Sequence, residues 1–392
     1  MTSTTTRPAY PWLPADQCGV RLATDVARVP AYDGLDAGAL ERAGRLLATV
    51  PAVSLHDHPV LLPDPMEAAT WQAWRADGRE TLGYDGLAGS GLAGVFASSL
   101  SGADVATLTR WAGLLQADLA HRADAIPARL AGDVPPGAAG PSGTGAPLAV
   151  FLSLEDLGGV GTDISGIEVL YGAGIRCAGL AYNPGNALGG GLASDPDEGL
   201  TPLGAQAVAL MNDIGMIIDL SHVGDRTSLD ACRASTRPVV ITHAGSRALW
   251  PTPRMKPDDV VRAVAETGGV IGVEAAPNST LSTEHRRHDL EAIMHHVEYL
   301  TELVGVDHVG FGPDTFFGDH MGFYRALNHR NPWPVPDHEQ IEYVAGMENP
   351  GEAIRNAAAW LIARGWTDTD IAKLAGGNAL RVLRAVEDDE RN

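Results

Sequence analysis

The chain has 392 residues, 45% of them hydrophobic and 20% charged, which is enough to bury a large core in one big domain or two medium ones. Its formal net charge of -21 argues against nucleic acid or an anionic membrane as partner, because phosphates would be repelled. Three cysteines (Cys18, Cys177 and Cys232) are too scattered for a disulfide framework or a Cys-x-x-Cys site, so a reducing, cytoplasmic setting is expected. The start, MTSTTTRPAYPWLP, lacks a charged-then-apolar leader, and no long apolar run occurs elsewhere.

In chain order, residues 1–35 are rich in Pro, Thr and Ala and predict an irregular arm, followed by one domain over 36–392. A helix is expected at about Asp36–Thr49. Eight short apolar strands then alternate with helices. They are Ala52–His56, Leu92–Ser98, Leu148–Leu154, Ile175–Tyr182, Met216–Ser221, Val239–Thr242, Val270–Glu274 and His308–Gly312. Between them, Val105, Leu108, Trp111, Leu115 and Leu119 share one helical face, as do Leu290, Ile293, Val297, Leu300 and Val304. Thr201-Pro202 and Lys256-Pro257 place proline in the first turn of helices that end at Gly215 and Gly268. Val134–Pro147 reads as a surface loop, and a helical pair at about Pro350–Arg364 and Thr367–Val386 ends the chain. Eight strands alternating with helices predict a (β/α)8 TIM barrel with C-terminal helices and active residues at the C-terminal strand ends. A doubly wound sheet is disfavoured, since no G-x-G-x-x-G follows the first strand. The long connections Pro59–Tyr84 and Phe316–Asp337 are expected to wall the pocket.

Metal-ligand residue types recur at those strand ends. PAVSLHDHP carries His56 and His58, FLSLEDLG carries Glu155, IIDLSHVG carries His222, PVVITHAGSR carries His243 and HVGFGPD carries Asp314. Two histidines two residues apart point to the same face, although an H-x-H alone is as easily a pair of solvated or core histidines. A carboxylate directly after AVFLSL is costly to bury unpaired, so Glu155 either bridges two cations or serves structurally by capping the next helix or pairing with an arginine, a role for which Asp156 is the better placed of the two. His222 and His243 stand one helix plus one strand apart, and neutral imidazole suits zinc. Asp219, upstream in its strand, reads as structural. Asp314 is placed to carry a proton, with a helix N-cap as the plain alternative. Five such junctions together point to a binuclear metal hydrolase.

The runs IDLSHVG, T-H-A-G-S-R-A-L from Thr242, R-x-x-P-D-D from Arg254, HVGFGPD and GGNALRVL at Gly376–Leu383 resemble the membrane dipeptidase (renal dipeptidase) family of the amidohydrolase superfamily. The likeness extends from about Val53 to Val386 and includes YNPGNALGGG from Tyr182. It implies two Zn2+ ions in the barrel mouth and hydrolysis of small dipeptides, L,L or L,D, by a metal-bridging hydroxide. It puts His56 and His58 on the first ion, Glu155 between the two, and His222 and His243 on the second. It makes Asp314 the proton carrier and Arg254 the clamp for the substrate carboxylate, a role suited to a guanidinium fork. The sequence departs from the family at His58, where the usual motif has Asp, and at Tyr182, where renal-type members carry His. Tyr182 either donates to the oxyanion or packs the barrel. TFFGDHMG after Asp314 also departs, with Asp319 and His320 expected as loop residues. The alternatives are a related amidohydrolase acting on another amide, lactam or secondary-metabolite conjugate, and, more remotely, a non-catalytic metal-binding barrel. Self-association is left open.

Overall fold

The computed structural model describes residues 20–24, 32–100, 104–138, 145–285, 287–328 and 331–387, so the expected arm lies largely outside the described residues. The strands are β1 (Val53–Asp57), β2 (Gly94–Ser98), β3 (Ala125–Ala128), β4 (Leu148–Leu154), β5 (Ile175–Gly179), β6 (Ile217–Asp219), β7 (Val240–Ala244), β8 (Val270–Val273) and β9 (Val309–Phe311). They form one parallel sheet in the order β1-β2-β4-β5-β6-β7-β8-β9, an eight-stranded (β/α)8 barrel. All eight expected barrel strands are present. The ninth, β3, was not anticipated: it is AIPA, too short and too proline-marked to read as a strand. It pairs with β4 from Leu148 to Phe151, on the edge that β5 takes over at Leu152.

Every residue of the eight barrel strands is buried, which fits their near-continuous apolar composition. One face carries Val53, Phe96, Phe151, Cys177, Ile217 and Val270, and it packs on Leu380 and Leu383 of the last helix. The other face packs on the surrounding helices, so the first is the barrel interior. The helix stops behave as the sequence implies. Thr201 caps Pro202–Ile214, and Gly215 ends it in the left-handed region at φ 76°. Pro257 stands at the N-cap of Asp258–Glu266, one place earlier than expected. Among the described residues no helix is long and apolar enough to cross a membrane.

The barrel closes between β1 and β9 without a regular ladder. Asp314 N donates to His56 O and His58 N donates to Thr315 O, each at 3.1 Å, just beyond the strand ends. At the opposite end the closing device is the GGN run. The expected single helix Thr367–Val386 is broken there: Asp368–Ala372 passes through a wide turn, Lys373–Gly377, into Asn378–Glu387. Asn378 Nδ2 donates to Val306 O (2.7 Å) and Val309 O (2.8 Å), holding the start of β9. Gly376 lies so near β1 that a Cβ would sit 2.3 Å from Pro51 O and 2.4 Å from Val53 N.

The two long connections divide their work. Residues 316–340 contribute to the pocket wall, whereas the connection after β1 does not line it. Instead it backs the other: Leu62 N donates to Phe317 O, Phe317 N donates to Val60 O, and Trp71 meets Phe323 edge-on.

Gly376→Ala should cost about 1–3 kcal/mol of stability, because the obstructing atoms are backbone and cannot rotate away; denaturant melts of the two proteins would show it. A second test concerns pH. Burial pushes Glu352 up to about 7, and its Oε1 accepts from Glu348 N at 2.9 Å. The folded state retains a proton that the unfolded chain releases at a lower pH, so this group's contribution is lost as pH rises to about 7. Glu352→Gln keeps the acceptor and should raise Tm at about pH 8 while changing it little at about pH 4.

Candidate metal centre

Strict alternation would put some of the expected ligands on the wrong face. Leu55 and Val240 point into the barrel, so His56 and His243, at odd offsets from them, should point out. Both stand at register shifts, between Ser54 and Asp57 in β1 and between Ile241 and Ala244 in β7. Such irregularities re-aim side chains, and the two rings end stacked with centroids 3.6 Å apart. Glu155 needs no such device, since it continues the inward face of Phe151 in steps of two.

The structure brings the five candidate metal ligands and Asp314 together. His58 Nε2 is 3.0 Å from Glu155 Oε1 and 3.3 Å from Asp314 Oδ1. His56 Nε2 is 3.5 Å from the same Asp314 oxygen. Glu155 Oε2 lies 3.2 Å from His222 Nε2 and 3.8 Å from His243 Nε2. Two ligand-like groups emerge: His56, His58 and Asp314, and His56, Glu155 and His243. Asp314 therefore faces the first pair of histidines, and it is not a helix cap. Its backbone is left-handed, at φ 58°.

The far nitrogen of three rings fixes the tautomer. His58 Nδ1 donates to the carbonyl of Ser98 at 3.0 Å, and His222 Nδ1 to Asn183 Oδ1 at 2.9 Å. Thr242 Oγ1 gives its proton to Asp219 Oδ2 at 2.8 Å, so it accepts from His243 Nδ1 at 2.7 Å. Each Nε2 is turned into the site and offers a lone pair whenever its imidazole is neutral. His222 and His243 face each other through these nitrogens at 3.1 Å. The buried His56 Nε2 has no hydrogen-bond partner. Imidazole nitrogens converging around a two-oxygen carboxylate form a donor set for divalent metal, and the residues fit such a cation.

Electrostatics agrees. Burial alone would push Glu155 and Asp314 up, yet the histidines around them hold both well below the usual carboxylate range. Burial would push His58 down, and the same two carboxylates hold it well above its ordinary value. Burial, aided by Arg254, takes His222 down to about 4, and burial with the neighbouring His56 and Arg254 holds His243 well below its ordinary value. The cluster favours positive charge at its centre and leaves its second histidine pair neutral.

Asp57, between the two first histidines, had no assigned role. Fully buried, it accepts from Thr315 N (3.1 Å), Thr315 Oγ1 (2.8 Å) and Ser54 Oγ (2.6 Å), tying the end of β1 to the residue after Asp314. Asp219 is structural as expected, and Asp156 turns its chain by accepting from Gly158 N at 2.7 Å. Tyr182 lies past β5, stacks on His222 at 4.1 Å and lines the cavity, so packing and access to the site coexist. Arg254 also lines it. The guanidinium is buried, donating to His243 O at 2.9 Å and to the Glu274 carboxylate. Glu274, a residue the sequence reading passed over, is fully buried and also accepts from Ser279 (2.6 Å) and Thr280 (2.9 Å). Its signal was available: like Glu155, it is a carboxylate directly after an apolar run. The expected loop pair Asp319 and His320 instead starts a helix. Asp319 caps His320–Ala326, and His320 is buried edge-on to Phe316, whose ring stacks on His58.

A model of the membrane dipeptidase family (peptidase family M19) matches residues 41–328 and 337–392. A Klebsiella pneumoniae protein described as "Uncharacterized protein in pqqA 5'region" is 32% identical over 197 residues, 46% of this chain and 72% of that protein. "Dipeptidase tcpJ" of Claviceps purpurea is 31% identical over 242 residues, which is 61% of this chain and about half (51%) of that protein. Among solved structures, an amidohydrolase from Pseudomonas aeruginosa superposes with a TM-score of 0.72 at 22% identity, covering 88% of this chain and 98% of that one. A metallo peptidase from Rhodobacter sphaeroides, liganded with a phosphinate mimic of the dipeptide L-Ala-D-Ala, gives 0.63 at 19%, covering 86% and 99%. These folds agree with the barrel, and the family match over most of its length shows that the chain belongs to the membrane dipeptidase family of hydrolases.

Proposed function

We propose that this protein is a zinc-dependent dipeptidase that cleaves the amide bond of small dipeptides, L,L and L,D, within one catalytic domain over residues 36–392. The observation that carries the reading is the pair of Glu155 oxygens, one on His58 and the other on His222. In this reading His56 and His58 hold the first ion, Glu155 reaches both, and His222 and His243 hold the second. Bound ions would supply Lewis-acid polarisation of the scissile carbonyl and a water acidic enough to attack at neutral pH.

The chain's own groups do the rest. Asp314 Oδ1 faces His56 and His58, and the carboxylate accepts the proton of the attacking water and delivers it to the leaving amine. Arg254 has spent two of the five N–H donors of a guanidinium, on His243 O and Glu274. Its remaining donors bind the carboxylate of the substrate's C-terminal residue. Tyr182 gives a hydrogen bond to the carbonyl oxygen as negative charge grows there. The Claviceps relative is named a dipeptidase, and the Rhodobacter structure makes L-Ala-D-Ala the first L,D compound to assay.

The test is hydrolysis of an L,L and L,D dipeptide panel by zinc-loaded protein, beside C-amidated versions. Turnover should need the free carboxylate and vanish with chelator; equal rates on the amides would remove Arg254 from its role, and chelator-resistant turnover would end the metal reading. Asp314→Asn should lower kcat by about 10²–10⁴-fold while the folded protein keeps its zinc. Metal analysis beside the kinetics separates proton transfer from metal binding.

A further inference from the structure

One buried amine takes no part in the chemistry above. Of the 28 lysines and arginines in the chain only Lys256 and Lys373 are lysines, and Lys256 is fully buried. Its Nζ has one hydrogen-bond partner among the described residues, the carbonyl of Val223 at 2.6 Å. Burial pushes the amine down to about 7, with Asp225 and Asp219 opposing the effect and Arg254 and Arg247 adding to it. A methionine or leucine would fill similar space without desolvating a charge, so packing alone does not account for the lysine.

What the bond joins is specific. β6 and β7 pair at a single register position, Asp219 with Val240. Past it, side chains link the two strand ends: Asp219 accepts from Thr242 N and Ser221 Oγ from His243 N. Beyond the histidines themselves the buried tie is Lys256. Its ammonium holds the residue that follows His222, while its backbone is fastened just past His243. Lys256 N donates to Gly245 O and Arg247 N donates to Lys256 O, each at 2.9 Å. Two residues before it, Arg254 donates to His243 O at 2.9 Å. The Asp225–Arg247 pair links the same two connections nearer the surface.

We propose that Lys256 is a positioning residue for metal held by His222 and His243. By tying the residue after His222 to the loop that carries His243 and Arg254, it sets the spacing of the two imidazoles, whose Nε2 atoms stand 3.1 Å apart. The same tie keeps the guanidinium beside them. This rests on the metal reading above and deepens it.

Lys256→Met keeps an unbranched stem and removes the ammonium. Zinc affinity is read by competition with a chromophoric chelator, in protein shown to be folded by circular dichroism. One zinc should bind the variant at least about tenfold more weakly than the wild type, and the other should bind as before. A lysine that serves only the fold would lower Tm and leave both affinities of the folded protein unchanged, a result that overturns the proposal. The scarcity of lysine supplies a second measurement that needs no variant. Coupling is reciprocal, so zinc should slow acetylation of Lys256, read by mass spectrometry, by about tenfold beyond any slowing at the buried Cys177 thiol. Cys177, on the interior face of the barrel, reports opening of the barrel as a whole. Equal slowing at the two sites overturns the proposal even if Lys256→Met does not fold. Selective zinc loss in a protein that hydrolyses no dipeptide supports it and overturns only the dipeptidase reading. Wild-type protein that binds no zinc overturns both.

Discussion

The site depends on how the barrel is closed. β1 and β9 are joined by two backbone hydrogen bonds past their ends, and these involve His56, His58, Asp314 and Thr315. The bonds that seal the barrel are thus made by the backbone of three of the candidate site residues. Asp57 reinforces the joint from behind by gripping Thr315 through both backbone and side chain. Every other strand pair has its own ladder; this pair is held by the site and, at the opposite end, by Asn378 and the close approach of Gly376. Barrel closure and site assembly are therefore one event.

Burying so many polar groups is tolerated because most of them are answered, His56 Nε2 being an exception. Ser98, Asn183 and Thr242 each take one imidazole proton, so the orientation of three rings is set from outside the cluster. Arg254 and Glu274 answer one another, and Ser279 and Thr280 complete the carboxylate. Removing either partner of such a buried pair typically costs roughly 3–5 kcal/mol, because the charge left behind has no water. The pair holds the guanidinium at the cavity wall before any ligand arrives, which lowers the entropic cost of binding a carboxylate.

The barrel was legible because its strands are apolar on both faces and its helices have clean stops, Thr201 and Gly215 among them. The cluster was legible as residue types at strand ends. What the sequence could not show is how His56 and His243 come to face inward, since that depends on register shifts in β1 and β7 that alternation does not encode. Asp57 was hidden between two more conspicuous histidines, and Glu274 resembled an ordinary strand end. The break at Gly376 was invisible for a related reason: the apolar pattern of Asn378–Glu387 continues the preceding helix, and only contact with β1 explains the turn.

Asp314 sits in the left-handed region, where a side chain other than glycine is held at a cost of about 1–3 kcal/mol. The surrounding bonds to His56 and Thr315 enforce that conformation, so the chain carries standing strain at a carboxylate that faces His56 and His58. Glycine at this position would relax the backbone and abolish the carboxylate in one change. Selection for stability alone therefore runs downhill toward a barrel without this carboxylate.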